Sequence, residues 1–235
     1  MLLLKIKTYL IPILIFSTFY GCFIHQKSLV IVPDENFVLD QKILRSDGYY
    51  YTERTSVAYC KKEKFGTGSR PVIESKYQLK GITYLFLYTD GYLYNGGPSM
   101  LPGVSINGEK YWDHCDLLEN ENNFAHARAG LEEWLEGGNV EIDKPIHKKG
   151  LFQRGIYYIE ENSIKLQHYI GTEGGPQLIE SSGEILNDTT FLITSTKYFN
   201  ENTDYEDRLY KFKKFSIKPD STNYIRGNRD KFGKS

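Results

Sequence analysis

Residues 155–170 read GIYYIEENSIKLQHYI. In the second part of that stretch Ile164, Leu166 and Ile170 alternate with Lys165, Gln167 and Tyr169. A period of two predicts a strand with one buried face and one wet face, because successive side chains point to opposite sides of a pleated sheet. His168 falls on the apolar side. It either lines an interior or is satisfied by a neighbour near a strand end. Glu160-Glu161-Asn162 separates this strand from a second β-rich run, Gly155 to Ile159. Two such runs around a short polar turn read as a hairpin.

The pattern continues in both directions. Downstream, Gly174-Gly175-Pro176 breaks the strand and Leu178-Ile179-Glu180 resumes it. A turn is expected at Ser182-Gly183, then Glu184-Ile185-Leu186, then a tight turn at Asn187-Asp188 into Thr189 to Thr194. A last strand spans Arg208 to Phe215. Upstream, Asp90-Gly91 stands between Tyr84-Leu85-Phe86-Leu87-Tyr88 and Tyr92-Leu93-Tyr94, and Asp47-Gly48 precedes Tyr49-Tyr50-Tyr51. Asp-Gly accepts positive φ cheaply and marks hairpins. The 19 Tyr and 13 Phe fit half-buried pleated surfaces. Short strands with regularly spaced turns predict a mainly antiparallel β domain, a barrel or sandwich, over residues 46–218.

One helix interrupts the strands. Phe124, Ala127, Leu131, Trp134 and Leu135 share a face at helical spacing over residues 124–136. Asn122 or Asn123 supplies the start cap and Gly137 the end, with Glu132, Glu133 and Glu136 toward water. Residues 219–235 carry Arg226, Arg229, Lys231 and Lys234 and read as a loose basic tail.

The stretches 155–166 (GIYYIEENSIKL), 183–194 (GEILNDTTFLIT) and 209–223 (LYKFKKFSIKPDSTN) resemble small lipocalin-like lipoproteins of the Bacteroidetes type. The likeness spans about a third of the chain and lies in turns and pleats. It implies an antiparallel lipocalin-like (calycin) barrel and carries no catalytic residues over to this chain.

The N-terminus sets the expected compartment. Lys5 and Lys7 precede an uncharged run, Thr8 to Tyr20, which has the length of a signal-peptide core rather than a spanning helix. Gly21-Cys22 at its end resembles the lipobox of bacterial lipoproteins, with Phe19 and Tyr20 departing from the commonest residues there. The resemblance implies cleavage after residue 21 and lipidation of Cys22. No acidic residue stands in Phe23 to Gln26, which points to an outer-membrane anchor facing the periplasm. Residues 22–45, broken by Pro33, read as a tether.

In an oxidising compartment Cys60 and Cys115 are either bridged or two buried thiols. A bridge would close a loop of about 55 residues and contribute roughly 4 kcal/mol by chain entropy. Charge is balanced, 29 basic against 30 acidic residues, so nothing recruits nucleic acid electrostatically. Asp113-His114-Cys115-Asp116, with His126 on the helix, contains legitimate zinc ligands but no paired ligand spacing, so no metal or other cofactor is expected. No Gly-x-Ser-x-Gly occurs, Gly66-Thr67-Gly68-Ser69 lies in a lysine-rich loop, and no glycine-rich turn sits in a βαβ context. The expectation is a non-enzymatic envelope lipoprotein whose barrel binds a small apolar or amphipathic molecule. Its ligand-facing candidates are Tyr84, Phe86, Tyr92, Tyr94 and Trp112. The alternative is an interaction module of an envelope complex with a plugged barrel.

Overall fold

The computed structural model describes residue 27 and residues 29–61, 73–99, 104–106, 109–112, 123–137, 151–172, 175–199, 203–219, 221 and 223–233. Eleven strands are present among them: β1 (Gly48–Lys61), β2 (Ile73–Leu87), β3 (Tyr92–Ser99), β4 (Val104–Ile106), β5 (Glu109–Trp112), β6 (Arg154–Glu160), β7 (Ser163–Thr172), β8 (Gly175–Asn187), β9 (Thr190–Tyr198), β10 (Thr203–Asp204) and β11 (Arg208–Lys214). Strands β1, β2, β3, β6, β7, β8, β9 and β11 pair in that order, and β11 returns to β1. Every one of those pairings is antiparallel, so the chain forms a closed eight-stranded barrel of lipocalin-like kind.

The predicted hairpins are where the turn chemistry puts them. Asp90-Gly91 joins β2 to β3, with Gly91 at φ 82° and packed against Pro33, so a side chain there would be both strained and crowded. Glu161 takes φ 54° in the β6–β7 turn, and Asp188-Thr189 turns β8 into β9. Ser182-Gly183 is not a turn. It lies inside the long strand β8, where a Cβ on Gly183 would stand 1.9 Å from the Leu192 carbonyl oxygen. The glycine serves close strand approach at a bulge, not a reversal. Asp47-Gly48 likewise makes no hairpin: Gly48 begins β1 opposite Lys214 of β11.

One end of the barrel is sealed. The turns at Asp90-Gly91, Glu161-Asn162 and Asp188-Thr189 meet there, and residues 37–45 run across it. The Leu39 amide donates to the Thr89 carbonyl at 2.8 Å, and the Tyr50 hydroxyl donates to the Asp188 carbonyl at 2.9 Å. Leu39 and Leu44 enter the same core as Tyr50, Leu87, Tyr157 and Phe191. Phe191 stacks on Tyr210 with centroids 4.9 Å apart. The tether predicted for 22–45 is therefore, over its described part, a plug.

The outer surface is covered on two sides, which corrects the expectation of one wet face. Gln167 and Tyr169 point outward from β7 yet are buried. Gln167 Oε1 accepts from the Ile31 amide at 2.9 Å, and Tyr169 packs with Val30, Ile225 and Phe232. The C-terminal residues are accordingly no loose tail. They form a short helix α2 (Tyr224–Gly227) and a 3-10 turn (Arg229–Lys231), and the buried Asn223 amide donates to the Gly155 carbonyl at 2.7 Å. The basic side chains conceal two apolar anchors, Ile225 and Phe232.

The other cover is the helix Phe124–Glu136, here α1. Asn123 caps it through the His126 amide at 2.8 Å, and the Gly137 amide donates to the Glu133 carbonyl. Ala127, Leu131 and Leu135 lie on Tyr49, Ile82, Tyr84, Phe86 and Tyr94. Glu132 does not face water as expected. It accepts from the Tyr49 hydroxyl at 2.7 Å and pairs with Lys213 at 2.6 Å, locking the helix to the wall.

Candidate functional site

Away from the sealed end the barrel holds a cavity of about 340 Å³. Strand register sets its layers, since residues two apart on a strand face the same way and lie about 6.6 Å apart along it. Leu85, Leu93, Leu166, Ile193 and Tyr210 form an apolar floor on top of the plugged core. One step further along the strands stand Thr83, Asn95, His168, Ser181, Thr196 and Arg208, a polar belt. Arg54, Asp204 and Glu206 are exposed at the rim.

Thr196 enters the belt because of a backbone irregularity. Ser182 pairs with Ser195 but Gly183 pairs with Ile193, which leaves Thr194 as an extra residue on β9. The extra residue reverses the facing of everything beyond it. Below the bulge Phe191 and Ile193 point inward; above it Thr196 and Tyr198 do. Thr196 Oγ1 lies 3.0 Å from Ser181 Oγ and accepts from Arg208 Nη2.

His168 is the belt's titratable group. Burial holds its pKa down at about 4, helped by the positive charge of Arg208, so the ring is neutral at pH 7. Asn95 Nδ2 lies 3.0 Å from His168 Nε2. An amide nitrogen can only donate, which assigns Nε2 as acceptor and places the ring proton on Nδ1. That Nδ1 is buried without a partner. The same holds for Thr83 Oγ1 and Arg208 Nε. A buried polar atom left unpaired costs about 1–3 kcal/mol, so three in one cavity wall form an expensive arrangement. Among the described residues, Arg54, Arg208, Asp204 and Glu206 form no ion pair.

Two seams of the barrel wall are short, and β3 meets β6 through only three residue pairs. β11 pairs with β1 through only four residue pairs, Gly48 to Tyr51 against Lys214 to Lys211. Beyond Tyr51 the two strands part, and Arg54 and Arg208 line the cavity on either side of that seam. β10 continues the wall above β11 by pairing with Thr196 and Lys197 of β9.

Four of the aromatic residues expected to face a ligand lie elsewhere. Tyr84, Phe86 and Tyr94 point outward and pack beneath α1, and Tyr92 points outward into the cluster with Val30 and Phe232. The inward residues of the same strands are Thr83, Leu85, Leu93 and Asn95. A strand buried on both faces is apolar throughout, so period two cannot tell inside from outside there. Trp112 ends β5, which runs parallel to the end of β1 with Trp112 opposite Cys60. Cys22 and Cys115, together with Asp113, His114 and Asp116, lie outside the described residues. Among the described residues no three His, Cys, Asp or Glu side chains gather as metal ligands would.

His168 is the one belt residue that the sequence singled out. Asn95, Thr83, Thr196 and Arg208 went unnoticed. The polar residues Thr83 and Asn95 share the facing of Leu85 and Leu93 and were a readable signal; the bulge that turns Thr196 inward was not. No protein family, curated protein or solved structure matches the chain.

Proposed function

We propose that this protein is a non-enzymatic lipoprotein of the cell envelope that takes up a small amphipathic molecule in the open half of its barrel. One observation carries the reading: a cavity with an apolar floor, a polar belt and an accessible rim, set above an interior that is otherwise filled. Eight-stranded barrels are wide enough either to be packed solid or to hold one small ligand. The lower half here takes the first course and the upper half the second, which favours a binder over a fully plugged interaction module. A cavity of about 340 Å³ sits at the small end of ligand sites. At about 30 Å³ per water-sized unit it admits a ligand of roughly a dozen non-hydrogen atoms.

Lipid on Cys22 would tether the domain to the outer membrane, facing the periplasm. The leader residues that resemble a lipobox support this. The binding reading is tested by solvent extraction of purified protein and mass spectrometry of the extract. A stoichiometric small amphipath is expected; an empty protein that also binds no amphipath in titration would overturn it. The anchor is tested by labelling cells with a fatty-acid analogue. Label on the wild type and none on Cys22→Ala is expected, and equal labelling removes the anchor.

A further inference from the structure

The belt, rather than the floor, identifies the ligand's chemical class. Thr83 Oγ1, His168 Nδ1 and Arg208 Nε are buried, unpartnered and carried by side chains that line one cavity. The arginine can only donate, and the neutral imidazole, its Nε2 occupied by Asn95, can only donate from Nδ1. The threonine hydroxyl donates or accepts. Arg208 is fixed in the wall by its bond to Thr196, which Ser181 supports in turn. All three side chains stand in the lining of one cavity, and Arg208 brings a positive charge there, so the lining favours a group that accepts hydrogen bonds and bears negative charge. An ammonium head brings donors against donors. An alcohol brings a single oxygen. A carboxylate brings two oxygens and about four acceptor positions.

We infer that the belt receives the carboxylate of a small amphipathic acid, whose apolar body covers the leucine and isoleucine floor. This rests on the ligand-binding reading above and narrows it to one class. The two cations and two carboxylates around the cavity sharpen the choice. Arg208 lies in the belt and Arg54 at the rim, while Asp204 and Glu206 are exposed at the rim. The belt itself holds one cation, Arg208, which a single carboxylate charge balances, whereas a phosphate monoester brings close to two charges and a third acceptor oxygen, so a carboxylate is preferred.

Calorimetric titration of the full-length protein with decanoate, 1-decanol, decylammonium and decyl phosphate tests this. Decanoate is expected to bind at least tenfold more tightly than any of the other three. In Arg208→Met that preference over decanol should fall below threefold, with decanol affinity unchanged within twofold. Should that variant fail to fold, Thr83→Val carries the test, with decanoate affinity lowered about threefold and decanol affinity unmoved. The His168 Nδ1 proton resonance gives an independent readout in the wild type: it moves downfield with decanoate and stays in place with decanol. Equal affinity for decanoate and decanol, or a His168 signal indifferent to both, overturns the carboxylate inference and leaves the binding reading standing. Tightest binding of decyl phosphate overturns the choice of acid. If none of the four binds, the binding reading falls with it.

Discussion

The two halves of the barrel interior are built on the same strands and obey opposite rules. Below, Leu39, Leu44, Tyr50, Tyr157 and Phe191 fill the space, and polar groups such as the Tyr50 hydroxyl reach a backbone partner. Above, the wall keeps Thr83, His168 and Arg208 with buried atoms unpaired. A chain selected for stability alone would have continued the leucines upward. The contrast teaches where to look for function: at the cavity wall, where three unpaired buried polar atoms stand beside a filled interior whose Tyr50 and Tyr157 hydroxyls both reach backbone carbonyls.

The sharpest way to break that contrast is to attack the filled half. Phe191→Ala removes a fully buried ring that packs on Tyr50 and Tyr210. Urea unfolding should show a loss of about 3–5 kcal/mol. A loss below about 1 kcal/mol would mean that the lower half is not a packed core.

Next comes the pH response of the open half. The folded pKa of His168 lies at about 4, against about 6.5 in an unfolded chain. The unfolded state therefore takes up the proton first, and stability falls as pH drops from about 6.5 to about 4. The expected loss is on the order of 3 kcal/mol, at one pKa unit per 1.4 kcal/mol. His168→Gln should remove this component of the unfolding profile, and an unchanged profile would place the titration elsewhere. Arg208 adds to the disfavour of a charged ring, and Arg54, Asp204 and Glu206 are the other charged groups lining the same cavity.

Thr83→Val separates the halves by sign. In a satisfied core, loss of a hydroxyl destabilises; here the hydroxyl has no partner, so the change should be neutral or stabilising by up to about 1 kcal/mol. A clear destabilisation in thermal melts would show that Thr83 is bonded after all. The smallest effect is expected outside the barrel. Arg226 of α2 pairs with Asp90 at the sealed end at 2.8 Å, half exposed, and Arg226→Ala should cost less than about 1 kcal/mol. A larger loss would make surface charge, not the apolar plug, the closure of that end.

Much of the architecture was legible in local chemistry. Asp90-Gly91 and Asn187-Asp188 specify their turns through their own side chains and φ preferences, and Asn123 and Gly137 bound the helix for the same reason. What could not be read depends on contacts distant in sequence. Gly183 looks like a turn residue until Leu192 of the neighbouring strand is set against it. Tyr84, Phe86, Tyr92 and Tyr94 look like a binding surface until α1, the N-terminal segment and Phe232 cover them. The inward path of Thr196 follows from a one-residue bulge that leaves no compositional mark. His168 was found because β7 keeps its alternation along its whole length, and its meaning came only from the unpaired groups opposite.

The four-pair seam between β1 and β11 also has a kinetic side. Gly48 and Lys214, which it joins, are 166 positions apart, whereas every other wall contact except β3 with β6 joins near neighbours in the chain. Closing so long a loop is entropically the most demanding step of assembly, and few residue pairs reward it. The order of events is thus set by topology: hairpins first, the ring last, with refolding on the order of milliseconds to seconds rather than microseconds. In reverse, amide protons of Tyr49 and Tyr51 should exchange before those of β7 and β8, so that the barrel unzips from the strand with which it begins.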